Sequence, residues 1–233
     1  MTTKNQIITS RRDALKSIPL AASAVAIAAS SVRAADVTPS QTAGPFYPDL
    51  NNDLTFVTSR EHPAKGDIIY VHGVVRDTNG KPVSRALVEF WQTDHQGIYD
   101  HAGDERQADK DPNFQSFGRY ITDDDGKYFF KTIRPRWYGD EKFMRTPHIH
   151  CKVWRRGFHE LTSQMYFESE AMNAKDGLYN KLNAAEQKLV TVAFPPSSES
   201  DDRTKAALAL AVDEKSIAAE SKVGHFDITI KAV

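Results

Sequence analysis

Short runs rich in β-branched and aromatic residues recur along this chain, each closed by Gly, Asp or Asn, and that rhythm limits the folds open to it. Residues 68 to 76 read Ile-Ile-Tyr-Val-His-Gly-Val-Val-Arg and end at Asp77-Thr78-Asn79-Gly80, a strong turn signal. A second strand is expected at 86 to 92, where Val88 and Phe90 alternate with Leu87, Glu89 and Trp91, a pattern apolar on both faces. Arg119 to Thr122 and Lys127 to Thr132 flank Asp123-Asp124-Asp125-Gly126. That acidic cluster reads as a hairpin turn, because a calcium loop needs alternating ligands and a glutamate beyond the glycine. Further strands are expected at 148 to 154, 164 to 167 and 224 to 230, the last with Phe226, Ile228 and Ile230 on one face. The spacing predicts a mainly β chain: a single-domain β-sandwich with long loops and a few short helices.

Two of the loops are long. Residues 93 to 117 and 134 to 147 are rich in Asp, Pro, Gly and aromatics, and loops of that length inside a compact domain are usually functional. Helix is expected late in the chain, at Ala184 to Val190 behind Asn183 as N-cap, and in the alanine-rich stretch from Asp202 to Glu220.

The N-terminus carries Ser10-Arg11-Arg12, a mildly apolar run from Ile18 to Ala29, and Val32-Arg33-Ala34. A basic start, a short apolar segment and small residues before a cleavage point describe an export signal too short to span a membrane, and the paired arginines mark the twin-arginine type. The expected organisation is a signal peptide over 1–34 and one domain over 35–233, delivered to the periplasm or beyond. Removing residues 1 to 34 leaves 25 basic against 30 acidic residues, a net charge of −5. That acidity argues against a nucleic-acid partner, since phosphate recognition needs a basic face. No other apolar stretch is long enough to hold the mature chain in a membrane. Cys151 is the single cysteine, which excludes an intrachain disulfide and reads as a small buried hydrophobe.

Within this frame the chemistry concentrates on Tyr99, Tyr138, His148 and His150. A strand sends residues i and i+2 to the same face, so a strand at 148 to 154 points both imidazoles one way and Ile149, Cys151 and Val153 the other. Imidazoles alone suit several metals, and an isolated His-x-His is commonly just a polar pair on a half-exposed strand. Phenols narrow the choice. Only a strongly charged Lewis acid holds a phenol as phenolate at neutral pH, and that favours ferric iron.

Several separated blocks agree in order and spacing: Gly97-Ile98-Tyr99, Thr132-Ile133-Arg134-Pro135-Arg136-Trp137-Tyr138, Arg145-Thr146-Pro147-His148-Ile149-His150 and Leu161-Thr162-Ser163-Gln164-Met165-Tyr166-Phe167. With them the chain resembles the intradiol ring-cleavage dioxygenases, most closely the protocatechuate 3,4-dioxygenase branch, from Thr38-Pro39-Ser40-Gln41-Thr42-Ala43-Gly44-Pro45-Phe46 to Phe226-Asp227-Ile228. The resemblance implies Fe(3+) held by Tyr99, Tyr138, His148 and His150, and cleavage of a catechol between its hydroxylated carbons with O2. It implies that Tyr138 also serves as a base, that Arg145 lies over the ring, and that Gln164 stands behind it in the same pocket. Without it, Arg145 reads as a solvated charge and Gln164 as a strand-edge polar group.

The chain also departs from that pattern. Gly139-Asp140 follows Tyr138, where protocatechuate dioxygenases usually place proline and tryptophan; an Asp140 that lined the pocket would repel a carboxylated catechol. One sequence leaves open whether the chain pairs with a second chain type or forms a homo-oligomer. Residues 70 to 92 and 118 to 132 also resemble exported transthyretin-like β-sandwich binding modules, which need no metal. A zinc hydrolase built on His148 and His150 would need a third His, Cys or carboxylate at a fitting spacing.

Overall fold

The computed structural model describes residues 37–41, 52–57, 59–202, 204–205 and 220–233. The proposed signal at 1–34, the Thr42-Gly44-Pro45 motif and most of the 202–220 helix lie outside the described residues. In chain order the described strands are β1 (Ile68–Asp77), β2 (Leu87–Trp91), β3 (Phe117–Ile121), β4 (Lys127–Ile133), β5 (Tyr138–Gly139), β6 (Met144–Arg145), β7 (His148–Trp154), β8 (Leu161–Phe167), β9 (Thr191–Val192), β10 (Lys222–His225) and β11 (Ile228–Ile230). The helix α1 (Ala184–Val190) follows β8.

These strands form a β-sandwich. One layer has β1 at its centre, with β4 antiparallel to it on one side and β10 and β11 parallel to it on the other. The second layer runs β3-β2-β7-β8-β9. Between them, Val71, Val75, Phe130 and Ile228 meet Val88, Phe90, Ile149, Cys151, Val153 and Met165, all 5 % exposed or less. Phe90 and Phe130 stack across the layers with ring centroids 4.2 Å apart. Cys151 is fully buried, and that burial pushes its thiol up to about 12, so it behaves as the small core hydrophobe its alternation predicts.

The expected strand at 224–230 divides in two. Phe226 N–H donates to the His72 carbonyl and Val74 N–H to Asp227 Oδ1, at 2.8 Å each, so the chain steps along β1 at this point instead of continuing straight. Phe226, Ile228 and Ile230 nevertheless all face the core. Helix α1 starts at its expected cap: Asn183 Oδ1 accepts from the N–H groups of Ala185 and Glu186, and Glu186 Oε2 accepts from Asn183 N–H, a reciprocal capping box.

Candidate metal centre

The register of the second layer assembles half of the site. On β7 the core takes Ile149, Cys151 and Val153, so His148 and His150 point to the other face. Pairing of β7 with β8 sets Tyr166 opposite His148 and Gln164 opposite His150, while β2 brings Trp91 opposite His150. Directly opposed residues share a face, so one cross-strand row carries Trp91, His148, His150, Gln164 and Tyr166. A slip of one residue would send all of them into the core. The indole of Trp91 lies flat on the His150 ring, with centroids 4.8 Å apart and an interplanar angle of 5°.

The other half comes from the two long loops. Asp94, almost fully buried, shapes the first: its Oδ1 accepts from Gln96 and Ile98 N–H, and its Oδ2 from Asp111 N–H. Gly97 lets the loops touch. Its φ is +82°, and a Cβ there would lie 2.4 Å from the Trp137 carbonyl oxygen, so only glycine brings Tyr99 beside Tyr138. In the second loop, β5 and β6 form a small hairpin that sets Tyr138 opposite Arg145.

The four donor side chains converge. Tyr99 Oη lies 3.1 Å from His150 Nε2 and 3.4 Å from His148 Nε2, and the two Nε2 atoms are 3.3 Å apart. The Tyr138 ring stands edge-on to Tyr99 at 5.3 Å between centroids and lies 5.8 Å from the His148 ring. Oxygen and imidazole ligands at about 2.0–2.2 Å from one ion, separated by roughly 95–110°, lie about 3.1–3.5 Å apart. The observed triangle fits that geometry.

The protons are placed for the same purpose. His148 Nδ1 is 2.6 Å from the Thr146 carbonyl, and a carbonyl only accepts, so the ring carries its proton on Nδ1 and turns the Nε2 lone pair inward. Burial, reinforced by Arg145, lowers the pKa of His148 to about 3, which keeps the ring neutral. Burial, then the neighbouring Tyr138, raises Tyr99 well above the usual phenol value; Tyr138 is also raised by burial, against the pull of Arg145. Without a cation both are phenols. Among the described residues no group of three or more His, Cys, Asp or Glu is arranged to hold a metal, so the phenols complete this donor set.

Arg145 is 3 % exposed and held in a network, not solvated as it would read without the family resemblance. It donates through Nε to Asp176 Oδ2 at 2.9 Å and through Nη2 to Gln164 Oε1, which also accepts from Tyr166 Oη. Its positive charge also favours the phenolate form of Tyr138. Gln164, read on its own as a strand-edge group, is fully buried within this cluster.

Asp140 is exposed, and its carboxylate accepts from Lys142 and Phe143 N–H in its own turn, which lowers its pKa. Gly139 beside it has φ +101°, and a Cβ there would lie 1.9 Å from the Phe143 carbonyl oxygen. The departure at Gly139-Asp140 is therefore the chemistry of a tight hairpin. A cavity of about 450 Å³ beside Tyr99 and Tyr138 is lined by Gly103, Asp104, Glu105, Arg106 and Gly139, and Asp140 does not line it.

The family profile described as Dioxygenase matches residues 42–213. The chain belongs to this family, the intradiol ring-cleavage dioxygenases. Among relatives, the protocatechuate 3,4-dioxygenase beta chain of Burkholderia cepacia is 37% identical over 147 residues, covering 61% of this chain and 63% of its own. The catechol 1,2-dioxygenase of Candida albicans is 35% identical over 162 residues, covering 58% and 49%. The chain thus spans 49% to 63% of the length of these two dioxygenases. Among solved structures, the dioxygenase domain of a dioxygenase and carbohydrate-binding protein fusion from Streptomyces sp. SirexAA-E has TM-score 0.59 and 28% identity, covering 85% of this chain and all of that one.

Proposed function

We propose that this chain is a ferric-iron intradiol dioxygenase that opens a catechol-type ring between its two hydroxylated carbons, placing both atoms of O2 in a cis,cis-muconate-type diacid. One observation carries the reading: Tyr99 Oη, His148 Nε2 and His150 Nε2 meet at ligand spacing with Tyr138 beside them. The iron would be held by Tyr99, Tyr138, His148 and His150, and when bound it makes the chelated catechol ring reactive toward O2.

The rest of the work falls to the chain. Tyr138 is the more accessible phenol, half-buried where Tyr99 is fully so, and its Oη is placed to take a proton from a substrate hydroxyl. Arg145, paired opposite Tyr138 in the β5–β6 hairpin, offers a fixed cation for negative charge developing on the substrate ring. Gln164 and Asp176 hold the guanidinium in place. Trp91, lying flat on His150, holds that imidazole in plane.

The alternative of a non-catalytic sandwich module leaves two loop phenols, a tautomer-locked histidine and a buried arginine without a purpose. The test is oxygen uptake with protocatechuate, catechol, hydroxyquinol, gallate and larger phenols, with products identified. Ring-opened diacids from at least one of them support the reading. An iron-loaded protein that consumes no oxygen with any of them contradicts it.

A further inference from the structure

Asp176 stands 31 residues beyond Arg145 and is fully buried. It closes the 3₁₀ turn Ala171–Lys175. Its Oδ1 accepts from Leu178 N–H at 2.8 Å and from Tyr179 N–H at 2.9 Å, which ties the carboxylate to its own turn. Its Oδ2 accepts from Arg145 Nε and from Thr146 N–H, both at 2.9 Å. Two donors on each oxygen use the hydrogen-bonding capacity of a carboxylate.

Consecutive residues thus reach the same oxygen, one by its side chain and the next by its backbone. Thr146 is fixed a second time, because its Oγ1 donates to Asn173 Oδ1 at 2.9 Å and Asn173 Nδ2 donates to the Phe167 carbonyl at 2.9 Å. The carbonyl of this doubly held Thr146 is the one that accepts the His148 Nδ1 proton.

We propose, on the metal-centre reading above, that Asp176 is a positioning residue that sets two parts of the site at once: the Arg145 guanidinium directly, and the His148 tautomer through the Thr146 peptide. A simpler role is neutralisation of the buried Arg145 charge. The two differ in one respect. If Asp176 served only the charge, removing both charges together would restore everything else; if it also fixes Thr146, the histidine stays perturbed.

The experiment compares Arg145→Met, Asp176→Asn and the double variant. In the double variant no cation is left buried without its partner, so it carries the test even where Asp176→Asn alone fails to fold. Three readouts are taken. The first is the ¹⁵N NMR spectrum of the His148 ring in metal-free protein. Wild type and Arg145→Met should show the Nδ1–H tautomer alone, and the double variant a mixture. The second is Fe(III) affinity by chelator competition. It should be unchanged in Arg145→Met and about 10- to 100-fold weaker in the double variant, as for other groups that orient a metal-bound histidine. The third is kcat and KM: Asp176→Asn should lower kcat with KM little changed, and the double variant, whose His148 stays perturbed, should have a kcat below that of Arg145→Met, where a charge-only role would leave the two equal.

A double variant with the single tautomer and wild-type iron affinity would overturn the proposal. So would loss of the tautomer in Arg145→Met alone. The tautomer is read without iron or substrate, so it stands apart from the functional reading, which fails on its own if wild type binds no iron.

Discussion

The two halves of the site are held in different ways. The histidines belong to β7, in the middle of a layer, where ladder register and a core of Ile149, Cys151 and Val153 leave their direction no freedom. The tyrosines sit on loops, and these are held by irregular contacts: the Asp94 carboxylate, Asp104, Arg106 and Gln107 around Gly97 and Tyr99, the Gly97 approach to Trp137 and the Gly139 turn. A sheet places side chains through the repeating register of its ladder, and a loop through contacts particular to its own sequence. Tyr138, the phenol assigned to proton transfer, is the less buried of the two, as a group that must change partners requires.

That contrast breaks most visibly at the sheet. His150→Ala removes a proposed ligand, and iron content should fall to background while the far-UV circular dichroism of the sandwich stays unchanged. Retained stoichiometric iron would show that the sheet half does not dominate binding. Arg145→Ala should keep the iron and lose rate instead. Removing one preorganised charged group typically costs about 10²-fold in kcat, roughly 3 kcal/mol. Single-turnover kinetics beside metal analysis separates the two variants, and a wild-type rate for Arg145→Ala would refute its role.

The loop half gives a smaller effect of another kind. Gly139→Ala puts a methyl against the Phe143 carbonyl at a positive φ, and such strain costs on the order of 1–3 kcal/mol. The hairpin should open before the sandwich does, so hydrogen exchange near Tyr138 and Met144 should speed up with β7 still protected. Equal acceleration at β7 would mean that loop and sheet form one cooperative unit.

The sheet half was legible in the sequence because alternation in a strand has a fixed period. His148 and His150 against Ile149, Cys151 and Val153 state a direction directly, and β7 spans the expected residues. Asn183 and Glu186 likewise announce α1 by their three-residue spacing. The loop half was legible only through resemblance, since nothing near Tyr99 states that Gly97 will meet Trp137. Asp176 escaped altogether: its partners at 145 and 146 are brought to it by the tertiary fold, and Asp176-Gly177 reads locally as one more turn. The single strand expected at 224–230 failed for a related reason, because the step at Phe226-Asp227 is made by bonds to His72 and Val74 on another strand.

The central claim is that two phenols and two imidazoles hold one ferric ion. Resonance Raman excitation within a visible tyrosinate-to-iron band, with iron counted in the same sample, tests it most directly. The account predicts about one iron per chain, a coloured protein, and enhanced tyrosinate vibrations that weaken in Tyr138→Phe while those of Tyr99 persist. A colourless protein, or a coloured one whose spectrum is untouched by Tyr138→Phe, would contradict it.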